Sequence, residues 1–185
     1  FSSTYTFSGA KKARKLLINF PLYTTVESLF IGLEKGTSLA AYNPYRDIPP
    51  IVYYGSSITQ GGCASRPGNA YQAKLSRALA VDHINLGFSG SARGEQAISD
   101  YIAGQPMSAL VYAYDHNAPT VEHLKNTHHR LYEKIREKHP DIPYFMITKP
   151  DFRFEKEAMP ASAKNMAGET IVNSHASTEP NGIRV

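Results

Sequence analysis

Ser57 sits within a run of residue types suited to holding a nucleophile on a sharp turn: Ile51-Val52-Tyr53-Tyr54-Gly55-Ser56-Ser57-Ile58-Thr59-Gln60-Gly61-Gly62. The four β-prone residues predict a strand, and Gly-Ser-Ser predicts the bend that stops it. A serine at such a bend is exposed. It sits beside backbone N–H groups left unpaired where the next helix begins, and those groups can hold a developing oxyanion. A Ser/Gly-rich turn with no chemistry has the same composition, so two further segments carry the weight. In Ile84-Asn85-Leu86-Gly87-Phe88-Ser89-Gly90-Ser91-Ala92 an apolar strand breaks into small residues, where backbone can approach a substrate closely. In Ala109-Leu110-Val111-Tyr112-Ala113-Tyr114-Asp115-His116-Asn117-Ala118-Pro119 an apolar run ends in polar side chains. Each segment reads as a buried-type strand with its polar cluster at the carboxyl end. In an open parallel sheet ligands bind outside those ends, so the three clusters are expected to converge there.

The elements that must position them follow from periodicity. From Ile51 onward strand-like and helix-like patterns alternate, which predicts a parallel sheet with right-handed crossovers. Helices are predicted over Ala70 to Ala80, Glu95 to Ala103 and Thr120 to Lys138, with a strand over Pro143 to Thr148 and a further helix over Ser162 to Ser174. Thr120 follows Pro119 and suits an N-cap, although His123 stands where a capping box has Glu or Gln. Before Ile51, Lys15 to Leu22 and Val26 to Leu33 predict two strands joined at Tyr23-Thr24-Thr25, and Ala40 to Pro50 reads as a linker.

The three blocks resemble the SGNH (GDSL-like) hydrolase superfamily. Gly55-Ser56-Ser57-Ile58-Thr59 is similar to its nucleophile block, with Ser56 where the commoner motif has aspartate. Asn85 to Gly90 is similar to its second block and Asp115-His116-Asn117 to its third. Tyr54 through Gly68, with Ala118-Pro119, resembles the bacterial branch that carries a β-sandwich ahead of the hydrolase domain. The resemblance implies an α/β, three-layer flavodoxin-like fold with a parallel sheet, preceded by a β-hairpin remnant of the sandwich. On that reading residues 1–46 are the end of the sandwich module plus linker, and residues 47–185 are the hydrolase domain, incomplete at its C-terminus. It also implies a serine esterase acting on small acyl groups, acetyl foremost, on carbohydrate. Ser57 would be the nucleophile, Gly90 would give a backbone N–H to the oxyanion, and Asn117 would give its side-chain amide.

The family's fourth block, an Asp-x-x-His supplying the base and its orienting carboxylate, does not occur after Asn117. The chain also starts at Phe1, so it is read as a fragment cut at both ends that would itself be inactive. The other histidines do not replace the block. His123, His128 and His129 share one predicted helix without the i, i+4 spacing of a helical zinc pair, so no metal is expected. His116 neighbours Asn117 on a segment read as extended, where adjacent side chains diverge, and His175 lacks an Asp three residues before it. Cys63, the single cysteine, has no catalytic partner nearby and is expected to pack the site loop.

Composition excludes several classes. With 185 residues, 42% hydrophobic and 19% charged, the chain suits a globular α/β domain with a sizeable core. A net charge of +4, its one dense basic cluster being Lys11, Lys12, Arg14 and Lys15, is too mild for a nucleic-acid partner. No apolar run is long enough to span a membrane, and no cofactor is implied. The expected partner is a small-molecule or carbohydrate ester, and nothing in the sequence fixes the compartment. The competing readings are a carbohydrate-binding module that keeps the pocket without the base, and a phosphate binder using Gly55 to Gly62; the latter lacks a Gly-Lys-Ser/Thr ending.

Overall fold

The computed structural model describes residues 2–148 and two short strands beyond them, Ser162–Lys164 and Thr170–Val172. β-branched and aromatic residues at Val52, Tyr53 and Tyr54 build β1 (Ile51–Gly55), which leads into the Ser56-Ser57 turn at its end. Around it lie β2 (His83–Gly87), β3 (Ala109–Ala113) and β4 (Tyr144–Met146), all parallel, in the spatial order β2-β1-β3-β4. The register pairs Gly55 with both Gly87 and Ala113, so β1, β2 and β3 end level with one another. Leaving β1 the chain moves one way to β2, then crosses back to β3. The switch point therefore falls between β1 and β3, where open α/β sheets bind ligands.

The helices are α1 (Ser57–Gln60), α2 (Tyr71–Leu79), α3 (Gln96–Ala103) and α4 (Val121–Lys138). Because side chains alternate across a strand, Val52, Tyr54, Leu110 and Tyr112 share one face and pack with Ile102 of α3 and Leu124, Leu131 and Ile135 of α4. Tyr53 points the other way and meets Tyr71 of α2, ring centroids 5.6 Å apart at 77°. Leu131 and Ile135 are completely buried, each contributing about 1.5–3 kcal/mol of transfer free energy. Thr120 caps α4 as expected: its side chain accepts from His123 N–H at 3.0 Å, and Glu122 lies in the first turn.

Three expectations fail here. The hairpin is not formed, for neither Lys15–Leu22 nor Val26–Leu33 is a strand; the backbone bond from Thr37 N–H to Glu34 C=O is the one such bond within residues 2–44. Neither segment forms regular secondary structure, and their apolar side chains are largely exposed, Phe30 at 90%. A two-stranded ribbon with no third strand and no covering helix is marginal, so alternation alone does not close the ladder. The helix over Ser162 to Ser174 fails at its described residues: Ser162–Lys164 (β5) pairs antiparallel with Thr170–Val172 (β6), Ala163 opposite Ile171. Thr170, Ile171 and Val172 are β-branched, and that stiffness favours extended backbone over a helical turn. Cys63 does not pack the site loop; it is exposed at φ +63°, turned outward by the tight Gly61-Gly62-Cys63 bend. His175 lies outside the described residues.

Candidate active site

At the end of β1 the chain must bend with no room to spare. A Cβ on Gly55 would strike the Thr59 hydroxyl and the Ala113 carbonyl, so only glycine lets Ser56 and Ser57 turn there. Ser56 is fully buried, and its hydroxyl accepts from Ile58 N–H at 3.3 Å, capping α1 in the place where the commoner motif has aspartate. Ser57 opens α1 and is half-buried, and its N–H has no acceptor among the described residues.

The second loop is laid against the first. A Cβ on Gly87 would collide with the Gln60 backbone, so glycine sets how closely the ends of β1 and β2 approach. Phe88 N–H donates to Gly55 C=O at 2.8 Å, and Ser89 N–H donates to the Gln60 side-chain oxygen at 2.9 Å. Gly90 follows at φ +69°, a left-handed conformation natural to glycine, in open space and with its N–H unbonded among the described residues.

The third loop is a short 3₁₀ turn, Asp115–Asn117, where extended backbone was expected. Asn117 Nδ2 donates to Phe88 C=O at 3.0 Å, tying the end of β3 to the loop after β2. A carboxamide has two N–H donors, so this bond occupies one and leaves the other. His116 is half-buried in the same turn. Thus Ser57, Gly90 and Asn117 all lie in loops leaving the level carboxyl ends of β1, β2 and β3.

Residues the sequence reading passed over hold these loops. Tyr54 accepts from Gly94 N–H at 2.8 Å and donates to Glu95 Oε2 at 3.3 Å, which also accepts from Arg93 N–H. Burial, chiefly, pushes the Tyr54 hydroxyl far above the ordinary tyrosine range, so it remains a donor. Its place as the fourth residue of an apolar strand gave no hint of that role.

Five of the described histidines have partners away from the Ser57 turn. His123 Nε2 lies 2.7 Å from Arg93 O, His139 Nε2 2.9 Å from Ala103 O, and His83 Nδ1 2.7 Å from Ser76 Oγ. His129 faces Glu133, and His128 packs against Tyr112 with ring centroids 4.7 Å apart. Burial pulls the pKa of both His83 and His128 below the ordinary imidazole value. Among the described residues no group of three or more His, Cys, Asp or Glu could hold a metal ion, and no helix is long and apolar enough to cross a membrane.

A parallel sheet in flavodoxin-like order, with a serine turn at the end of its first strand, defines the class: an α/β domain of the hydrolase type. Residues 49–182 match the GDSL-like lipase/acylhydrolase family, and the chain belongs to that family, one of serine hydrolases acting on ester bonds. Among solved structures it is similar to a protein described as a GDSL-like lipase, from Bacteroides ovatus, at 36% identity and a TM-score of 0.53 over 57% of this chain and 30% of that one. It is also similar to the salicylyl-acyltransferase SsfX3 from a tetracycline biosynthetic pathway, at 21% identity and a TM-score of 0.49 over 54% of this chain and 29% of that one. The chain thus spans about 30% of the length of these neighbours. No curated protein matches it by sequence.

Proposed function

We propose that this protein hydrolyses small acyl esters by acyl transfer to Ser57. The observation that carries the reading is the meeting of three loops at the β1/β3 switch point, with Asn117 bonded to the Phe88 carbonyl and the N–H groups of Ser57 and Gly90 without acceptors among the described residues. Family membership supports the same chemistry. Ser57 Oγ attacks the ester carbonyl and gives its proton to a histidine base, which the engaged His83, His123, His128, His129 and His139 do not supply. The carbonyl oxygen becomes an oxyanion held by the N–H groups of Ser57 and Gly90 and by the free N–H of Asn117, each such donor contributing about 3 kcal/mol. Loss of the alcohol leaves an acyl-Ser57 ester, and water releases the acid.

For the substrate we infer a small acyl group, acetyl foremost, carried on carbohydrate. This rests on the resemblance of Tyr54 through Gly68 to the sandwich-bearing branch. In the full-length protein Ser57→Ala is expected to lower hydrolysis of acetylated sugars by about a thousandfold or more with the fold unchanged. Asn117→Ala is expected to cost about a hundredfold in kcat through one lost donor. Turnover that survives Ser57→Ala but not Cys63→Ala would reassign the nucleophile. Sugar binding without any turnover would make the domain a binding module instead.

A further inference from the structure

Gln60 is the last residue of α1, three positions beyond Ser57. Its Oε1 accepts from Ser89 N–H at 2.9 Å, and its Nε2 donates to Leu22 C=O at 3.0 Å. Both partners are main-chain groups of fixed polarity, so the carboxamide has one orientation that satisfies them. Its backbone is equally committed: Gln60 N packs against Gly87, and Gln60 C=O lies 3.5 Å from Asn85 Nδ2. The bend at residues 22–24 is fitted to the same turn, with Tyr23 OH donating to Ser57 C=O at 3.3 Å and Leu22 Cδ1 filling the space a Cβ on Gly61 would need.

Ser89 immediately precedes Gly90, which lies at φ +69° inside a turn closed by Ser91 N–H and Ala92 N–H donating to Phe88 C=O, each at 3.1 Å, with the Ser91 hydroxyl donating to Ser89 C=O at 3.3 Å. The peptide carrying the Gly90 N–H is therefore located by what holds Ser89 and Phe88. Asn117 holds the Phe88 carbonyl, and Gln60 holds the Ser89 N–H.

We propose that Gln60 is a positioning residue for ester hydrolysis: it fixes the Gly90 N–H relative to Ser57, and its bond to Leu22 makes that placement depend on the bend at residues 22–24. The inference rests on the esterase reading. Both polar atoms of the Gln60 side chain are taken by main-chain partners, so it acts on the transition state through geometry and leaves ground-state binding alone. Such a displacement of about 1 Å costs up to a hundredfold in rate.

The test uses the full-length protein with a chromogenic acetyl ester. Gln60→Leu removes both bonds at similar volume and is expected to lower kcat by about tenfold or more with KM within about twofold and thermal midpoint within a few degrees. Gln60→Glu keeps an acceptor for Ser89 N–H, but as a carboxylate it sets a second oxygen against the Leu22 carbonyl. When protonated it becomes a close isostere of the amide and regains the donor. The ratio of Gln60→Glu to wild-type kcat is therefore expected to rise as pH falls from about 8 to about 5. That pH profile also decides the matter if Gln60→Leu fails to fold. A folded Gln60→Leu with unchanged kcat, or a Gln60→Glu ratio flat across that range, overturns the proposal. Ser57→Ala, run alongside, separates the two ideas: if it retains turnover the esterase reading itself has failed, whereas lost turnover with a silent Gln60 condemns only this inference.

Discussion

Residues 2–50 and residues 51–148 have much the same appetite for apolar burial and satisfy it very differently. In the second region β1, β2 and β3 are each followed by a helix that returns to cover the sheet, and Val52, Tyr54, Leu110, Leu124, Leu131 and Ile135 close into one core. In the first, Leu16, Leu17, Ile18, Phe20, Leu29, Phe30 and Ile31 remain exposed on backbone that forms no strand. The difference lies in where the covering layer comes from. A βαβ unit brings its own cover within a few dozen residues, whereas a hairpin needs further strands beside it. The first region is held to the second at Leu22 and Tyr23 on the Ser57–Gln60 turn and at Arg46, whose N–H donates to Ala80 C=O at 2.7 Å.

The sharpest way to break this contrast is to substitute glycines on either side of it. Gly87→Ala drives a methyl group into the Gln60 backbone and is expected to cost about 3 kcal/mol or more, whereas Gly32→Ala meets nothing and should stay within about 0.5 kcal/mol. Denaturant titration of both variants checks it; equal costs would mean that the two regions are equally packed.

A milder probe compares apolar truncations. Leu131→Ala is expected to lose about 2–5 kcal/mol because it empties a fully buried site. Phe30→Ala should lose less than about 0.5 kcal/mol, the side chain being 90% exposed. A large loss at Phe30 would show that the first region buries its apolar residues in solution.

The smallest effect is a pH dependence confined to the second region. His128, wedged against Tyr112 and Tyr114 with Asp115 and His129 as its charged neighbours, has its pKa held below the ordinary 6.5, mainly by burial. The unfolded chain then binds more protons than the folded one as pH falls through 6.5, so stability is full above that value and declines below it. Thermal midpoints between about pH 7.5 and 5.5 should fall with acid, and His128→Phe should flatten the slope while His83, shifted in the same direction, retains its share. A slope unchanged in His128→Phe would place the sensitivity elsewhere.

Strand β1, the helices near 70–80, 95–103 and 120–138, and the three loop clusters were legible in the sequence because each is a local signal: β-branched runs, 3.6-residue periodicity, and glycine or serine where a strand must stop. The hairpin at Lys15 to Leu33 and the helix at Ser162 to Ser174 were misread for one reason. A short alternating or mixed segment takes its state from its partners, and periodicity does not name partners.

By itself, then, the sequence determined the alternation of strands and helices and put Ser57, Gly90 and Asn117 in loops after three strands, since those choices depend on residues close together in the chain. The tertiary structure alone decided the order β2-β1-β3-β4, which makes those loops neighbours, and the bonds that fasten them: Asn117 to Phe88, Gln60 to Ser89 and Leu22, Tyr54 to Gly94. Each of those bonds joins residues 29 to 40 positions apart. A polar side chain in the sequence states what it can donate or accept, but which distant backbone group meets it depends on how the strands lie side by side.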